Sequence, residues 1–285
     1  MVSVLIPAFN ERRNIAECIA SVAWSDDVVV VDSGSQDGTR EIAEKSGARV
    51  VDFRWNRQFP RKKNWALENV QWKHPWILIL DADERIMPDL ASEIQEVLQK
   101  PAAEGYYLNR RFIFLGKWIR HCGYYPSWNL RLFRHKPGRY EKLHAGDTGS
   151  GDNEVHEHVV LQGRAAYLKN DMLHYAYPDI YTWMEKHNRY SNWEAEVELC
   201  RLPGGKGGIG DDLARRRRMR QLMRRLPFRP ALRFCYSYFW KRGFLDGKAG
   251  YIFCRLLASY EMLNVFKAYE VRLNREKKSV DRGTR

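Results

Sequence analysis

The strongest constraint on the fold of this chain is a pattern repeated in its N-terminal part, where short apolar runs end in polar clusters. The runs lie at residues 2–6, 28–31 and 76–80. Runs of this length, separated by segments with helical spacing, are typical of strands buried on both faces of a parallel sheet. The pattern therefore predicts an α/β fold, with helices on both faces of a mostly parallel sheet.

The segments around these runs add further predicted elements. Apolar residues at helical spacing follow Asn10, which is a candidate helix cap. In chain order, we predict helices at 11–23, 39–46, 62–69, 88–99 and 179–199, and further strands at 48–53, 105–115 and 128–134. Strand and helix alternate over the N-terminal part, and the connections between them are short, as in parallel α/β sheets.

The polar clusters predict where the ligand site lies. Residues 7–11, 32–37 and 81–84 each follow a predicted strand. In open α/β sheets, ligands bind in the crevice at the carboxyl ends of the strands. We therefore expect the three clusters to converge on one crevice.

The third cluster, Asp81-Ala82-Asp83-Glu84, is the most informative of the three. Carboxylates at the end of a buried strand repel one another and are costly to desolvate, unless a cation is present. Mg²⁺ and related hard cations bind carboxylate oxygens together with substrate phosphates. The cluster predicts a metal site, with Asp83 as a direct ligand. The alternative is that these residues cap the following helix, where acidic side chains favour the N-terminus.

The charge of the chain predicts an anionic partner. The formal net charge is +13, and residues 213–242 contain eleven Lys or Arg and no Asp or Glu. Basic residues interleaved with Trp, Tyr and Phe suit the interface of an anionic membrane. Each Lys or Arg near such a surface contributes about 1 kcal/mol to membrane binding. A phosphorylated acceptor would attract the same surface. The alternative is a helical subdomain whose arginines are merely solvated.

Cysteine usage and the N-terminus predict a cytoplasmic location. The five cysteines are scattered, which favours neither a zinc site nor a disulfide framework and suits a reducing compartment. The segment Met1–Pro7 has no basic leader, and no apolar run is long enough to span a bilayer. We expect a protein that is peripherally associated with the cytoplasmic face of the inner membrane.

These motifs resemble a known family. The clusters at 7–11, 31–39 and 80–84 resemble the motifs of family 2 glycosyltransferases with the GT-A fold, in the expected order. The resemblance covers about residues 1–165. Segments 155–157 and 243–247 more loosely resemble the bacterial lipopolysaccharide inner-core β-glucosyltransferases.

The resemblance implies a site for a nucleotide-diphosphate sugar. Asp32 would accept hydrogen bonds from the ribose or base, as acidic residues do in dinucleotide-binding sheets, unless it only shapes its turn. Glu11 would hold the uracil or ribose side, and one basic residue among Arg61, Lys62 and Lys63 would approach the nucleotide. The predicted donor-binding residues are Pro7, Ala8, Asn10, Glu11, Asp32, Ser33, Gly34, Lys63, Asp81 and Ala82. The predicted metal ligands for Mg²⁺ or Mn²⁺ are Asp83 and His156, with His144 and His174 left open as a third ligand.

An inverting transfer needs a general base that takes the proton of the acceptor hydroxyl. A further polar cluster, at 152–158, offers Glu157, Glu154 and Asp152. We favour Glu157, because it belongs to the His-Glu pair that resembles the lipopolysaccharide subgroup.

The sequence thus predicts a metal-dependent, inverting transferase that moves glucose from UDP-glucose to a lipid-linked oligosaccharide such as the lipopolysaccharide inner-core heptose. The alternative acceptors are a polyprenyl phosphate and a protein side chain. A nucleic-acid-binding protein is disfavoured, because the acidic strand ends would repel phosphate without a metal. The expected domains are a catalytic domain at 1–202, a linker at 203–212, and a helical, basic and aromatic region at 213–285. Within the catalytic domain, we expect a nucleotide half at about 1–100 and an acceptor half at about 101–202.

Overall fold

The computed structural model describes residues 1–136, 138–141, 158–200 and 228–283, and these divide into two units. The first unit consists of the described residues up to Trp118, from Tyr124 to Glu141 and from His158 to Ala176. The second consists of Ile119–Gly123 and the described residues from Tyr177 onward.

The first unit contains the predicted parallel strands. They are β1 (Ser3–Ala8), β2 (Val28–Asp32), β3 (Arg49–Asp52) and β4 (Trp76–Ile79), in the order β3-β2-β1-β4. Every residue of β1 and β4 is buried. Their unbroken apolar sequence follows from this position, since a central parallel strand has no face open to water.

Four helices connect and cover these strands. They are α1 (Ile15–Ala20), α2 (Thr39–Lys45), α3 (Lys62–Asn69) and α4 (Pro88–Gln99). Alternate residues of β1 belong to different cores: Ile6 packs in one with Ile15 of α1, and Leu5 packs in the other with Leu67 of α3. The prediction of an α/β sheet with helices on both faces is confirmed.

Beyond β4 the sheet contains antiparallel pairs, so the whole sheet is mixed. The added strands are β5 (Glu84–Arg85), β6 (Gly105–Phe114), β7 (Lys117–Trp118), β8 (Trp128–Arg134) and β11 (Ala165–Tyr177), and they continue the order as β4-β8-β6-β11-β5 with β7 beside β6. The pairs β4–β8, β6–β8 and β5–β11 are antiparallel. A separate two-stranded sheet joins β9 (Gly138–Tyr140) to β10 (Val159–Leu161).

The second unit is helical. It contains α5 (Ile180–Cys200), α6 (Arg229–Cys235), a π-helical turn at Tyr236–Trp240, a 3₁₀ turn at Gly243–Asp246, and the long α7 (Gly247–Gly283). Both α5 and α6 pack along α7. None of the described helices is long and apolar enough to cross a membrane.

The segment Ile119–Gly123 is held in this unit by Asp246. The backbone N–H of His121 donates to Asp246 Oδ2 at 2.9 Å, and His121 Nδ1 lies 2.8 Å from Oδ1. Gly243 is required here because a Cβ would lie 2.8 Å from Cys254 Sγ. The Gly243–Gly247 motif therefore has a structural role.

The predicted linker at 203–212 and the boundary at 202 lie outside the described residues and stay predictions. Within the described part, the division falls between Ala176 and Tyr177, because α5 packs with α7. Cys18, Cys122, Cys235 and Cys254 are free thiols.

Candidate active site

The acidic cluster after β4 is paired with two buried cations. Lys63 Nζ lies 2.9 Å from Asp81 Oδ1, and Arg131 Nη2 binds Asp81 Oδ2. The Lys63 and Arg131 side chains are only 8% and 6% exposed, whereas Asp81 keeps 30% of its side chain exposed. The end of β4 is therefore partly neutralised by the protein itself.

Glu84 completes this arrangement from a fully buried position. Its Oε1 accepts a hydrogen bond from Arg131 Nη2 at 2.8 Å, and its Oε2 accepts one from the backbone N–H of Asp81 at 2.9 Å. A buried charge is tolerated only when it is paired and hydrogen-bonded, so Arg131 and Glu84 depend on each other. Together they fix the turn that carries Asp81.

The electrostatics of the turn keep Asp81 ionised. Burial alone would raise the pKa of Asp81, but the Arg131 guanidinium and the Lys63 ammonium hold that pKa well below its usual range. Burial would likewise lower the pKa of Arg131, and the carboxylates of Asp81 and Glu84 hold it well above its usual range. Asp81 is therefore ionised, and its carboxylate is held in one orientation by Lys63 and Arg131.

Asp83 has different surroundings, because it faces a histidine. His174 Nε2 lies 3.6 Å from Asp83 Oδ1, and the two side chains are 17% and 13% exposed. Backbone pairing sets this contact: the N–H of Tyr175 donates to the carbonyl of Asp83 at 2.8 Å, and His174 pairs with Glu84 in the sheet. Carboxylate oxygens and imidazole nitrogens are both ligands of divalent cations.

Asp83 and His174 thus offer two donors of the kind a divalent metal takes. Among the described residues, no group of three or more His, Cys, Asp or Glu is placed to hold a metal ion. Mg²⁺ and Mn²⁺ commonly complete their shells with water and substrate phosphates, so two protein donors suit a nucleotide-bound cation. Of the two histidines left open as a third ligand, the structure brings His174 to Asp83, and His144 lies outside the described residues, as does the predicted ligand His156.

The loops after β1 and β2 lie side by side and are hydrogen-bonded to each other. Ala8 and Asp32 are partners in the sheet register. The N–H of Asn10 donates to Ser35 Oγ at 2.8 Å, and Asn10 Oδ1 accepts from the N–H of Gln36 at 2.9 Å. The N–H of Ser33 donates to the Ala8 carbonyl at 3.2 Å. The first two polar clusters therefore form one rigid edge.

Asp32 shapes its own turn. It is 2% exposed, and its Oδ2 accepts hydrogen bonds from the backbone N–H of Gly34 at 3.0 Å and of Ser35 at 2.9 Å. Gly34 has a φ of +84°, a conformation that glycine adopts without strain. Asp32 therefore shapes its turn, as the alternative interpretation of the sequence held. A contact between Asp32 and a ribose stays a prediction.

Glu11 and Asp37 fix the starts of the following helices. Glu11 Oε2 accepts from Asn14 Nδ2 at 2.8 Å, just before α1. Asp37 Oδ2 accepts from the N–H of Arg12 at 3.0 Å, and its Oδ1 accepts from the N–H of Thr39 at 3.1 Å. Burial would raise the pKa of Asp37, but the hydrogen bonds from Thr39 and Arg12 hold it below its usual value. Asp37 was not among the predicted site residues.

The basic residues at the start of α3 point inward. Lys62 is 1% exposed and donates from Nζ to the carbonyl of Ala8 at 3.0 Å. Lys63 reaches Asp81, as described above, and the side chain of Asn64 exchanges two hydrogen bonds of 2.9 Å with the backbone of Tyr140. Lys62 and Lys63 thus join α3 to the ends of β1 and β4.

The structure brings most of the predicted site residues to one edge of the sheet. Pro7 and Ala8 end β1, Asp32 ends β2, and Ala82 is buried beside Asp81. The candidates for the general base (Glu157, Glu154 and Asp152) and the metal-ligand candidate His156 lie outside the described residues and stay predictions.

Sequence reasoning did not assign Glu84, Arg131 or Arg110 to the site. Arg110 Nη1 lies 3.5 Å from Glu84 Oε1. For Arg131 a signal existed, since it is a charged residue beside the apolar pair Leu132-Phe133, in a strand that packs in the core. Such a residue needs a buried partner of opposite charge.

An α/β sheet of this arrangement, with a carboxylate-rich edge beside the ends of its parallel strands, is the GT-A fold of glycosyltransferases. The family model described as glycosyl transferase family 2 matches residues 3–158. The chain belongs to glycosyl transferase family 2, and it is a glycosyltransferase.

Curated relatives include a glycosyltransferase of lipopolysaccharide core biosynthesis and uncharacterized glycosyltransferases. The lipopolysaccharide core biosynthesis glycosyltransferase LpsC of Rhizobium meliloti (strain 1021) is 27% identical over 294 residues, covering 98% of this chain and 96% of the relative. The uncharacterized glycosyltransferase RC0292 of Rickettsia conorii is 28% identical over 202 residues, covering 68% of this chain and 69% of the relative.

Solved structures show more distant similarity. TarS of S. aureus is 14% identical with a TM-score of 0.47, over 94% of this chain and 54% of that chain. The glucosyl-3-phosphoglycerate synthase of Mycobacterium tuberculosis, in complex with Mn²⁺, UDP and glucosyl-3-phosphoglycerate, is 17% identical with a TM-score of 0.41, over 72% of this chain and 81% of that chain. This chain therefore spans about half the length of TarS.

Proposed function

We propose that this glycosyltransferase is metal-dependent and inverting, and that it moves a hexose from a UDP-sugar to a lipid-linked oligosaccharide. Glucose is the proposed sugar, and the inner-core heptose of lipopolysaccharide is the proposed acceptor. The lipopolysaccharide-core relative, similar along nearly the whole chain, supports this acceptor class. The acceptor places the enzyme at the cytoplasmic face of the inner membrane.

The observation that carries the proposal is the difference between two carboxylates one residue apart. Asp81 is held by Lys63 and Arg131, whereas Asp83 faces His174. One carboxylate is thus fixed as an anion, and the other stands beside a second ligand-type side chain. In the proposed complex, Asp81 would bind the ribose of the sugar nucleotide and Asp83 would bind the metal ion at its diphosphate.

Asp83 and His174 would hold the Mg²⁺ or Mn²⁺, with His156 as a further predicted ligand. When bound, the cation neutralises charge on the leaving nucleoside diphosphate. Asp81, with 30% of its side chain exposed, presents an oxygen edge to ribose hydroxyls. The rigid edge made by the loops after β1 and β2 positions the base and ribose, with Asn10, Glu11 and Asp32 as the proposed contacts.

Glu157 is the proposed general base, followed by Glu154 and Asp152. It would take the proton of the acceptor hydroxyl as that oxygen attacks the anomeric carbon. The variant Glu157→Gln should bind donor normally and lose transfer. If Glu157→Gln stays active, the base is another carboxylate of this cluster, and Glu154→Gln and Asp152→Asn identify which.

The second unit presents aromatic side chains to solvent, which supports a membrane partner. Phe239 and Trp240 of the π-helical turn are 60% and 79% exposed, and Phe244 is 46% exposed. The exposed cations Lys241 and Arg242 follow directly. Aromatic rings beside basic residues suit the headgroup region of an anionic bilayer.

The first test is calorimetric titration of the full chain with a panel of UDP-, GDP- and dTDP-sugars, with Mn²⁺ and with a chelator. We expect one UDP-sugar to bind in the presence of Mn²⁺ and to lose binding when the metal is chelated. Equal binding with chelator would contradict the metal assignment. No binding of any sugar nucleotide with metal present would contradict the donor assignment and favour nucleic acid as the anionic partner.

A further inference from the structure

Three aromatic side chains on neighbouring strands β8, β6 and β11 form a cluster in which Tyr167 contacts the other two. Tyr107 of β6 stacks on Tyr167 of β11, with ring centroids 4.8 Å apart and an interplanar angle of 17°. Trp128 of β8 meets Tyr167 at 5.0 Å and 82°. We call these three residues the aromatic corner, because Trp128 stands at nearly a right angle to the stacked tyrosines.

The aromatic corner is open to solvent. Tyr167 is 60% exposed and Trp128 is 38% exposed. The neighbours of Tyr167 along β11 explain its direction: Leu168 is buried in the core, so the strand pleat turns Tyr167 to the other face. A single exposed aromatic residue is ordinary, but adjoining exposed rings on a rigid sheet are typical of a binding surface.

The sheet register places the aromatic corner near the acidic edge. Leu78 of β4 pairs with Leu132 of antiparallel β8, so the start of β8 lies toward the end of β4 that carries Asp81. Arg131, which binds Asp81, is three residues from Trp128 on the same strand. At about 3.3 Å per residue, that separation is about 10 Å along the strand, or roughly two linked sugar rings.

A buried polar network supports the aromatic corner. Asp171 is 7% exposed and accepts hydrogen bonds from Asn109 Nδ2 at 2.7 Å, Arg111 Nε at 2.8 Å and Tyr125 Oη at 3.1 Å. Asn109 is the sheet partner of Trp128, so the network fixes the strands on which the aromatic corner is built. Arg111 keeps 44% of its side chain exposed and adds a cation to this face.

We propose that the aromatic corner binds a pyranose ring of the acceptor saccharide. A pyranose has an apolar face of C–H groups, which packs on an aromatic ring, and a polar rim of hydroxyls, which a tyrosine hydroxyl and a guanidinium can bind. The apolar face of the sugar would pack on the stacked tyrosines, and Trp128 would contact the sugar from the side. This inference rests on the proposed function, since it assigns the acceptor of the same site.

The position favours acceptor over donor. The nucleotide is assigned to the ends of the parallel strands, around Asp32 and Asp81. The aromatic corner lies on β8, β6 and β11, on the opposite side of β4 from β1 and β2. A saccharide held there would approach the acidic edge from the side of β8, β6 and β11.

The test is steady-state kinetics of the full chain with a UDP-sugar donor and a delipidated inner-core oligosaccharide. Tyr167→Ala and Trp128→Ala should each raise the acceptor KM about tenfold and leave the donor KM unchanged. Tyr167→Phe keeps the ring and should stay within about twofold of wild type, which also shows that the strand still folds.

The matched control is Tyr269→Ala on α7, since Tyr269 has the same 60% exposure as Tyr167. It should leave both KM values unchanged. A rise in the donor KM for Tyr167→Ala would assign the aromatic corner to the nucleotide, and unchanged KM values for both alanine variants would remove it from the site. Either result overturns the inference.

Failure of the proposed function is distinguishable from failure of this inference. If wild type transfers no sugar from any donor, the proposed function fails. Saturation-transfer NMR of the same oligosaccharide with wild type and Tyr167→Ala then tests the aromatic corner alone. Binding that is lost in Tyr167→Ala supports the inference, and binding that is equal in both, or undetectable in wild type, refutes it.

Discussion

At the scale of residues, the carboxylates of the acidic cluster differ in their partners. Asp81 and Glu84 are bound to Arg131, and Asp83 faces His174. The sequence predicted that the cluster needs a compensating positive charge, and Arg131 supplies part of that charge. Its distance in sequence explains why the pairing could not be predicted: only the register of β4 on β8 brings Arg131 to Asp81.

Replacing Asp83 tests the metal assignment. We expect Asp83→Ala to lower transfer at least about a hundredfold, because a bound cation contributes several kcal/mol to transition-state stabilisation. Metal-dependent donor binding should fall in the same calorimetric titration, while the thermal unfolding temperature stays near that of wild type. The matched control is Asp52→Ala, which removes a 65% exposed carboxylate at the end of β3. Full activity of Asp83→Ala would refute the assignment.

Replacing Arg131 tests the structural role of the buried pair. Arg131→Met leaves the carboxylates of Asp81 and Glu84 without their shared cation, so we expect the free energy of unfolding to fall by about 3–5 kcal/mol. Urea unfolding measures this loss. Arg134→Met is the control on the same strand, because Arg134 and its partner Glu104 are 41% and 42% exposed, and such surface pairs contribute at most about 1 kcal/mol. Equal losses in the two variants would contradict the buried-pair argument.

At the scale of elements, the sequence predicted the parallel half of the sheet better than the antiparallel half. The apolar runs of β1, β2 and β4 are long enough to specify buried strands, and their polar ends specify the ligand edge. In contrast, β5 has two residues and no periodicity, yet it brings Glu84 opposite His174. A pairing so short depends on tertiary contacts, which is why His174 stayed one of several open histidines.

The contact between α5 and α7 contains a buried histidine that makes stability depend on pH. His187 is 6% exposed, stacks on Trp183 at 3.7 Å, and meets Tyr260 of α7 at 4.8 Å. Burial lowers the pKa of His187 to about 4. The hydrogen bond to the Trp183 carbonyl raises this pKa and the charge of Lys186 lowers it, but both effects are smaller than that of burial. The other titratable side chains in ring contact are Tyr177 and Tyr190.

Because the folded pKa is lower than the unfolded value of about 6.5, the unfolded chain takes up a proton first as the pH falls. The contribution of His187 to the free energy of unfolding should be fully present above about pH 6.5 and should decrease as the pH falls toward about 4. Between pH 7.5 and pH 5 we expect it to decrease by about 2 kcal/mol. Urea unfolding of wild type and His187→Phe at both pH values measures this. The phenylalanine variant should lack that part of the pH dependence, and an identical pH dependence in both proteins would contradict it.

At the scale of the whole molecule, the sequence predicted two kinds of surface: an acidic edge on the sheet and a basic, aromatic C-terminal part. The described residues contain the acidic edge and the C-terminal part from Phe228 onward, while residues 213–227 of the predicted basic region lie outside them. What periodicity could not predict is how the second unit is assembled, since Asp246 holds the distant segment Ile119–Gly123 through His121. The Gly243–Gly247 motif reads as a subgroup signature in sequence and contributes a buried hydrogen-bonded carboxylate in the structure.

The exposed aromatic residues of the second unit predict how the enzyme would meet the proposed lipid-linked acceptor. Trp240 and Phe239 stand in solvent beside Lys241 and Arg242, an arrangement that gains free energy only when an apolar and anionic surface covers it. We expect the double variant Phe239→Ala and Trp240→Ala to co-sediment at least about tenfold less with vesicles containing anionic lipid. Transfer to a delipidated oligosaccharide should be unchanged.

The control is Tyr181→Ala, which removes a 77% exposed aromatic side chain from α5 of the same unit. Raising the salt concentration separates the two contributions, since screening weakens the attraction of Lys241 and Arg242 to the bilayer but leaves aromatic insertion intact. Wild type should therefore keep some vesicle binding at high salt, and the double variant should lose it. If the double variant and Tyr181→Ala bind vesicles equally well, these aromatic residues do not insert, and the basic residues alone account for any attraction to the membrane.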